Sequence, residues 1–212
     1  MTESKLEFTP TYARIPMYLN LVEEALAAGK DFISGTEIAV LMGTSSIQVR
    51  KDLSFAGLKG IPKRGYSTKS AVTGLREFLT WNTKKKTFLI GVGNLAKAII
   101  LHKEFKECGL YITNIFDNDP KKIGQKIGDF TIESTDSLVT KLKRSKPEVA
   151  ILTLTYNDEV QKIAKLLVQH GVKGIWNFTK KKLLLKENVA VYNTDFLSSF
   201  AVLCADMKRR NN

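Results

Sequence analysis

The sequence contains few cysteines and histidines and no long hydrophobic run. Its two cysteines, Cys108 and Cys204, lie far apart, and its two histidines, His102 and His170, lie far from both. This spacing excludes a zinc site built from neighbouring Cys and His residues and argues against a disulfide framework. No apolar stretch reaches the roughly 18 residues that a membrane span needs, and the polar start shows no secretory signal. These absences predict a cytoplasmic protein without a bound metal.

The composition is that of an ordinary globular protein. The 212 residues are 43% hydrophobic and 25% charged, which suits one or two compact domains. A formal net charge of +12 favours a polyanionic partner. Between residues 50 and 86, ten lysines and arginines face only two carboxylates, Asp52 and Glu77. This window is a candidate nucleic-acid-binding segment.

A polar segment with three consecutive lysines, residues 82–86, separates a helical pattern from an apolar run that begins at Phe88. A run of three basic residues is most often a solvated linker. The sequence therefore predicts two domains, residues 1–84 and residues 85–212.

The first domain shows four helical patterns. Pro16 suits the first turn of an opening helix that ends at Gly29. Ser34 and Ser45 each stand three residues before a Glu or Gln, which is the spacing of a capping box, so a second and a third helix should begin there. A turn of two or three residues joins these two helices, as in a helix-turn-helix. A fourth helix, residues 71–81, should close the domain.

The third helix, residues 45–55, should turn Val49, Leu53 and Ala56 toward the core. Its other face carries residue types that suit a major groove, because Gln can pair with adenine, Lys or Arg with guanine or phosphate, and Ile with a thymine methyl group. The basic, glycine-punctuated segment 57–66 should form a two-stranded wing near phosphates. An exposed amphipathic helix with ordinary charges is the alternative. The predicted DNA-binding residues are Thr44, Ser45, Ser46, Ile47, Gln48, Arg50, Lys51, Ser54, Lys59, Lys63, Arg64 and Tyr66.

The second domain alternates strands with helices, which predicts an α/β fold of the Rossmann type with a doubly wound, mainly parallel sheet. The predicted strands are 88–90, 111–116, 130–132, 149–154, 174–176 and 189–192. The predicted helices are a run from the glycine loop to Gly109, then 136–143 and 158–170. The last segment, residues 195–209, is too apolar for a free surface helix, so it should be buried against another domain or subunit.

The strongest chemical signal is a glycine motif between a strand and a helix. Gly91 and Gly93 would let the backbone approach a pyrophosphate, whose charge would meet the N–H groups of the helix N-terminus. Asp117 ends the next strand, 24 residues after Gly93, which suits a carboxylate that binds the adenosine ribose of NAD. It should repel a 2′-phosphate, which favours NAD(H) over NADP(H). Its alternative role is to cap the following turn.

Two threonines at a strand's carboxyl end lie where ligands of open α/β sheets bind, although their hydroxyls could equally be local turn partners. The predicted cofactor-binding residues are Gly91, Val92, Gly93, Asn94, Leu95, Ala96, Asp117, Thr153 and Thr155.

Taken together, these features resemble the Rex family of redox-sensing transcriptional repressors over nearly the whole chain. The segments that carry the resemblance are 14–18 (RIPMY), 48–53 (QVRKDL), 63–66 (KRGY), 91–95 (GVGNL), 116–121 (FDNDPK) with 123–124, and 193–195 (NTD).

The resemblance implies a homodimer that binds an inverted-repeat operator, represses fermentative or respiratory genes, and releases DNA when NADH binds. It also implies that the terminal helix is exchanged between subunits and that Arg14 and Asp195 couple the domains across the dimer. Two unrelated surface charges are the alternative for that pair. The sequence departs from the family at Ala96, where glycine is usual, and at residues 153–156, where a proline-containing stretch is common. These departures predict poorer discrimination between the redox states of the cofactor.

An enzyme and a regulator of another kind are the alternatives. Glycine loops of this type are common in NAD-dependent oxidoreductases, but the second domain leaves no room for a separate substrate domain. Neither His102 nor His170 belongs to an acid–base pair, and Cys108 and Cys204 are expected to be small core residues rather than activated thiols. A regulator that senses another adenine nucleotide, such as coenzyme A, would use the same fold; Asp117 favours NAD.

Overall fold

The computed structural model describes residues 10–155, 159–185 and 188–210. The chain divides into two compact units between Thr83 and Lys84, one residue before the boundary expected from the sequence. Tyr156 and Asp158, which belong to predicted elements of the second domain, lie outside the described residues. Among the described helices, none combines the length and apolar character that crossing a bilayer requires.

The first unit is a bundle of four helices with a small antiparallel ribbon. Ser34 and Ser45 cap the second and third helices as predicted, because their hydroxyl oxygens accept hydrogen bonds from the N–H groups of Glu37 (3.0 Å) and Gln48 (3.1 Å). The helices are α1 (Pro10–Ala27), α2 (Gly35–Met42), α3 (Ser46–Phe55) and α4 (Thr68–Phe78), and the strands are β1 (Phe32–Ile33) and β2 (Tyr66–Ser67).

The predicted inward face of α3 is confirmed. Val49, Leu53 and Ala56 are all buried and pack in one cluster with the buried side of α1, which includes Ile15 and Tyr18. The third helix is therefore held by its apolar face, and its opposite face is left toward solvent.

Two predictions for this unit are wrong. Pro16 lies in the interior of α1, where proline removes one helical hydrogen bond. The helix continues because Ile15, Tyr18 and Leu19 are fully buried in the core, and this packing outweighs the local cost. Segment 57–66 does not form a two-stranded wing by itself: β2 pairs with β1, and the segment holds only a single bridge between Ile61 and Gly65.

The second unit is a seven-stranded, doubly wound sheet in the order β5-β6-β4-β3-β7-β8-β9. All its neighbouring strands are parallel except the pair of β5 and β6. The strands are β3 (Lys85–Ile90), β4 (Leu110–Asp117), β5 (Lys126–Ile127), β6 (Phe130–Ser134), β7 (Val149–Leu152), β8 (Gly174–Asn177) and β9 (Ala190–Asn193), and the helices are α5 (Asn94–Leu101), α6 (Glu104–Glu107), α7 (Leu138–Ser145), α8 (Glu159–Gln169) and α9 (Phe196–Arg210).

The central strand β3 is buried on both faces. Phe88 and Ile90 pack into one cluster with α7 and α8, whereas Leu89 packs into the other with α5. Chain order reverses at β3, because β4 follows on one side and β7 on the other. Ligands of such sheets bind beyond the carboxyl ends of the strands at this reversal, which is where β3 runs into Gly91.

Two predicted elements differ in extent. The helix after the glycine loop is not continuous to Gly109; it ends at Leu101, His102 is extended, and the short α6 follows. Strand β7 ends at Leu152, two residues earlier than predicted.

The terminal helix α9 has no buried residue. Phe200 and Val202 are 62% and 70% exposed, and the ring of Phe196 lies 6.2 Å from that of Phe178. Cys204 is exposed on this helix and Cys108 is half-buried, so the prediction that both are core residues is wrong for Cys204 within one chain.

Candidate functional site

The turn after β3 is built around Gly91, which has a φ of 94°. A Cβ atom at this position would lie 2.7 Å from the backbone nitrogen of Leu154, so only glycine fits between the two strand ends. The hydroxyl of Thr153 donates a hydrogen bond to the carbonyl oxygen of Gly91 (2.5 Å). Thr153 is therefore a local partner of the turn, the alternative left open by the sequence, and Thr155 is exposed two residues later.

Gly93 stands at the N-cap of α5, and no side chain caps this end of the helix. A Cβ atom at Gly93 would meet nothing within 4 Å, and Gly93 and Asn94 are exposed. The first N–H groups of a helix have no intrahelical acceptor, and the helix dipole makes this end positive. The turn can therefore receive a phosphate group on backbone N–H groups.

Ala96 replaces the third glycine of the motif without closing the turn. It is fully buried and packs against the sheet with Leu89 and Ile151. This is the helix–strand packing position of the motif, so its methyl group faces the core and not the open side of the loop. The methyl group of Ala96 therefore leaves the open side of the loop free.

Asp117, at the end of β4, is buried and ties three segments together. Its Oδ2 accepts hydrogen bonds from the N–H of Val92 (2.7 Å) and from the Lys122 ammonium (3.0 Å), and its Oδ1 accepts one from the N–H of Asp119 (2.9 Å). Burial alone would raise the pKa of Asp117, but the two N–H groups and Lys122 together hold it below its ordinary value. The carboxylate is therefore ionised and fixes the glycine loop.

The bond to Asp119 corresponds to the turn-capping role that the sequence left open, and the bond to Val92 adds a role that it did not suggest. Lys122 is a residue that sequence reasoning missed. Its signal is a lysine five residues after the strand-ending acid, in the segment that turns back toward β5.

Each histidine lies beside a residue two to four positions away in the chain. His102 caps the carboxyl end of α5, 4.0 Å from Glu104, and the Nδ1 of His170 lies 2.9 Å from the carbonyl oxygen of Leu166. Across the described ranges, no three His, Cys, Asp or Glu side chains are placed to hold a metal ion.

In the first unit, the structure brings Arg50 of α3 and the basic residues of the following loop to one groove. The groove has a volume of about 600 Å³ and Tyr66 forms part of its wall. Tyr66 is itself only 8% exposed, and burial raises the pKa of its hydroxyl, so it belongs to the core as much as to the surface. The predicted DNA-binding residues that line the groove and are exposed are Arg50, Ser54, Lys59, Lys63 and Arg64.

Other predicted contacts on α3 have local partners. Ser45 caps the helix, and the Ser46 hydroxyl accepts a hydrogen bond from Arg50 (3.1 Å). The Gln48 amide donates to Asp52 (2.9 Å), which draws it toward the protein. Ile47 and Lys51 are exposed, and Thr44 is half-buried.

Asp52 is the second residue that sequence reasoning missed. It is only 2% exposed, and its carboxylate accepts two hydrogen bonds from Arg14 (2.7 and 2.9 Å), one from the Tyr18 hydroxyl (2.7 Å) and one from Thr11 (3.0 Å). Burial opposes ionisation, but these donors lower the pKa of Asp52 to about 2. The network fastens the recognition helix α3 to α1. Its position on the buried face, between Val49 and Ala56, was the available signal.

Arg14 and Asp195 each have a hydrogen-bond partner within their own unit. Arg14 binds Asp52, and hydrogen bonding to Asp52 raises the pKa of its guanidinium. Asp195 caps α9, because its carboxylate accepts hydrogen bonds from the N–H of Leu197 (3.0 Å) and the hydroxyl of Ser198 (2.8 Å). A coupling between the two across a dimer stays a prediction.

Comparison with known families assigns a description to each unit. Residues 9–54 match a family model described as the N-terminus of a putative DNA-binding protein, and residues 82–181 match one described as a CoA binding domain. The first match covers the helix-turn-helix of the first unit, and the second covers most of the parallel sheet of the second unit.

The curated relatives cover nearly the full chain. The redox-sensing transcriptional repressor Rex of Treponema denticola is 42% identical over 96% of this chain and 96% of its own length. The repressor of the same name from Caldicellulosiruptor saccharolyticus is 34% identical over 90% of this chain and 86% of its own.

Solved structures agree with the curated relatives. RSP, a Rex-family repressor, in complex with β-NAD⁺ and operator DNA matches with a TM-score of 0.87 at 29% identity, over 95% of this chain and 92% of that chain. The complex of RSP with β-NADH matches with a TM-score of 0.85 at 27% identity, over 97% and 96%. The chain described here belongs to the Rex family of redox-sensing transcriptional repressors.

Proposed function

We propose that this protein is a transcriptional repressor whose first unit binds operator DNA and whose second unit binds NAD(H), so that NADH releases the DNA. The observation that carries the proposal is an uncapped helix N-terminus behind Gly91, next to a buried ionised carboxylate, in the same chain as a helix-turn-helix with a basic groove. The Rex relatives are named as repressors and not as enzymes.

The residues of the second unit fit a dinucleotide. The backbone N–H groups of Gly93, Asn94 and Leu95 would hold the pyrophosphate, since no side chain occupies this end of α5. Asp117 would accept a hydrogen bond from the adenosine ribose, because each carboxylate oxygen has more than one lone pair to offer. When bound, the cofactor supplies a nicotinamide ring that is neutral in NADH and positive in NAD⁺. Thr155 is proposed to lie on the wall of the same cleft.

The residues of the first unit fit a duplex. Ile47, Arg50, Lys51 and Ser54 lie on the solvent side of α3 and would reach base edges and phosphates in a major groove. Lys59, Lys63 and Arg64 on the following loop would contact phosphates. Arg64 lies 4.3 Å above the ring of Phe32, which orients its guanidinium at the rim of the groove.

A homodimer would complete the repressor. The exposed apolar side chains of α9 have no cover in a single chain, and a second copy that exchanges this helix would bury them. Two copies related by a two-fold axis would read an inverted repeat. Arg14 and Asp195 are proposed to couple the domains in that dimer, and the protein is proposed to act in the cytoplasm without a membrane partner.

The decisive experiment measures operator binding with and without each form of the cofactor. DNA affinity should fall when NADH is added and stay high with NAD⁺ or with no cofactor. Operator affinity that ignores saturating NADH would refute the sensor.

Two sets of variants separate the units. Asp117→Ala should weaken NADH binding and leave DNA affinity intact, whereas Arg50→Ala and Lys51→Ala should weaken operator binding and leave NADH affinity intact. If Asp117→Ala binds NADH as tightly as the unchanged protein, the carboxylate has no role at the ribose.

Coenzyme A is a second candidate ligand, because the family model that covers residues 82–181 is described as a CoA binding domain. Coenzyme A and NADH share an adenine nucleotide with a pyrophosphate, but coenzyme A carries a 3′-phosphate on its ribose. Titration of NADH, NAD⁺ and coenzyme A against the same protein decides between them, and tighter binding of coenzyme A would reassign the site.

A further inference from the structure

The positive charge of the chain is concentrated in the unit that binds no DNA in the proposal above. Residues 1–83 hold 10 Lys and Arg against 8 Asp and Glu, whereas residues 84–212 hold 23 against 13. Binding a dinucleotide with two phosphates does not need this excess. The excess of positive charge therefore indicates that the second unit has another anionic partner.

Part of this charge gathers at the amino ends of the parallel strands, opposite the edge where the glycine loop lies. Lys86, Glu148 and Lys173 lie side by side there, because the carbonyl oxygen of Lys86 accepts a hydrogen bond from the N–H of Glu148 (2.9 Å) and that of Glu148 accepts one from the N–H of Lys173 (2.8 Å). We call the exposed basic residues at this edge the amino-edge belt: Lys86, Lys106, Lys143, Arg144, Lys146 and Lys173.

Helices α6 and α7 bring the other members of the belt to this edge. Lys106 is in the last turn of α6, which precedes β4, and Lys143 and Arg144 are in the last turn of α7, which precedes β7. Basic residues in these positions also stabilise helix C-termini. That explanation does not extend to Lys86 and Lys173, which lie outside helices.

Two other lysines of the unit form ion pairs, Lys122 with Asp117 and Lys141 with Glu133. In the parts of the chain that the structure describes, the six belt residues have no ion-pair partner. Among the described residues, Glu107 at the end of α6 and Glu148 before β7 place two carboxylates at this edge. The belt is therefore a surface of uncompensated positive charge.

Lys146 adds a conformational argument. It ends α7 in the left-handed region, with a φ of 47° and a ψ of 63°, where glycine is the usual residue. A lysine at this position gives up some stability and places another positive charge between α7 and β7. A role for this charge would account for a lysine at a position that favours glycine.

We propose that the amino-edge belt binds the phosphate backbone of the duplex that flanks the operator. The belt has lysine and arginine but no Asn, Gln or aromatic side chain that would read bases, so its contacts would be to phosphates and independent of sequence. Strand β3 is the first element of the second unit, so the chain from the DNA-binding unit enters at this edge. The proposal rests on DNA binding by the first unit.

The test uses the full chain and two duplexes, the operator alone and the same operator with flanking DNA on both sides. The variant Lys86→Glu/Lys146→Glu/Lys173→Glu should bind the long duplex about tenfold more weakly at low salt and bind the short duplex unchanged. Three lost phosphate contacts should lower the slope of log affinity against log salt by about 2 to 3 on the long duplex. NADH affinity should not change, because the belt lies opposite the cofactor edge.

The matched control reverses three exposed lysines on and beside α8, Lys162→Glu/Lys165→Glu/Lys182→Glu. It changes the net charge equally and should leave the salt slope on the long duplex as it is. Lys146→Gly provides a variant whose folding should be intact, because glycine suits the left-handed backbone conformation at this position. It should be at least as stable as the unchanged protein and still weaken binding to the long duplex.

Equal losses in the belt variant and the control would mean that net charge alone acts, and would overturn the proposal. So would a belt variant that binds the long duplex normally, or a belt that binds single-stranded RNA and not the flanking duplex. If the unchanged protein does not bind the operator, the proposed function itself fails, which is a distinct result.

Discussion

The buried carboxylate of Asp52 gives the sharpest test of how the DNA-binding unit is held together. Asparagine at this position has the same shape, but its side chain has only one acceptor oxygen. Its NH₂ group would face the donors of Arg14 or Tyr18, so it cannot accept hydrogen bonds from both. Folding lowers the pKa of Asp52 from an ordinary value of 3.8 to about 2. At about 1.4 kcal/mol for each unit of pKa, the ionised carboxylate contributes about 2 kcal/mol to stability.

We therefore expect Asp52→Asn to destabilise the first unit by about 2 kcal/mol at neutral pH, less than the roughly 3 to 5 kcal/mol typical of breaking a fully buried ion pair. The loss stays moderate because the Arg14 side chain is 26% exposed and its unpaired charge can be hydrated. The effect must decline in acid: a carboxylate whose folded pKa is lowered contributes above its ordinary pKa, and this contribution is lost as pH falls toward 2.

The assay is urea unfolding followed by fluorescence. Trp81 packs against the core of the first unit and Trp176 belongs to the second, so a Trp176→Phe background makes Trp81 the reporter of the first unit alone. With a urea dependence of about 2 kcal/mol per molar, the midpoint should fall by about 1 M.

The exposed Glu77 gives a matched control, and Glu77→Gln should leave the midpoint where it was. A midpoint for Asp52→Asn that moves no more than that of the control, or a difference that persists undiminished at pH 2, would refute the reasoning.

Three further outcomes follow from the second unit. Gly91→Ala should cost at least about 2 kcal/mol of stability through backbone strain and steric overlap. Gly93→Ala, whose Cβ meets open space, should retain stability and lose NADH affinity. Thermal unfolding measures the first effect and NADH titration the second, and equal stability losses in the two variants would contradict the geometry. Lys122→Met should leave the negative charge of Asp117 unbalanced and so increase the preference for NADH over NADPH. An unchanged ratio of the two dissociation constants would mean that Lys122 does not act near the ribose. Phe200→Glu should lower the mass in sedimentation from two copies to one; a mass that stays at two copies would exclude α9 from the interface.

The sequence was sufficient wherever neighbouring residues decide the structure. The capping serines Ser34 and Ser45 work through hydrogen bonds to residues three positions away. The apolar face of α3 follows from helical spacing alone. These interactions span a few residues, so the local order of residue types encodes them.

Tertiary structure decided the roles that depend on distant partners. Asp52 meets Arg14 across 38 positions and Asp117 meets Val92 across 25, and a pattern along the chain does not reveal such pairs. The sequence left Thr153 open between a ligand and a turn partner, and the pairing of β3 with β7 places its hydroxyl at the carbonyl oxygen of Gly91. Pro16 stayed inside α1 because long-range burial outweighed a lost hydrogen bond. Which side chains face a partner and which face each other is fixed by packing between segments far apart in sequence, and only the folded chain determines it.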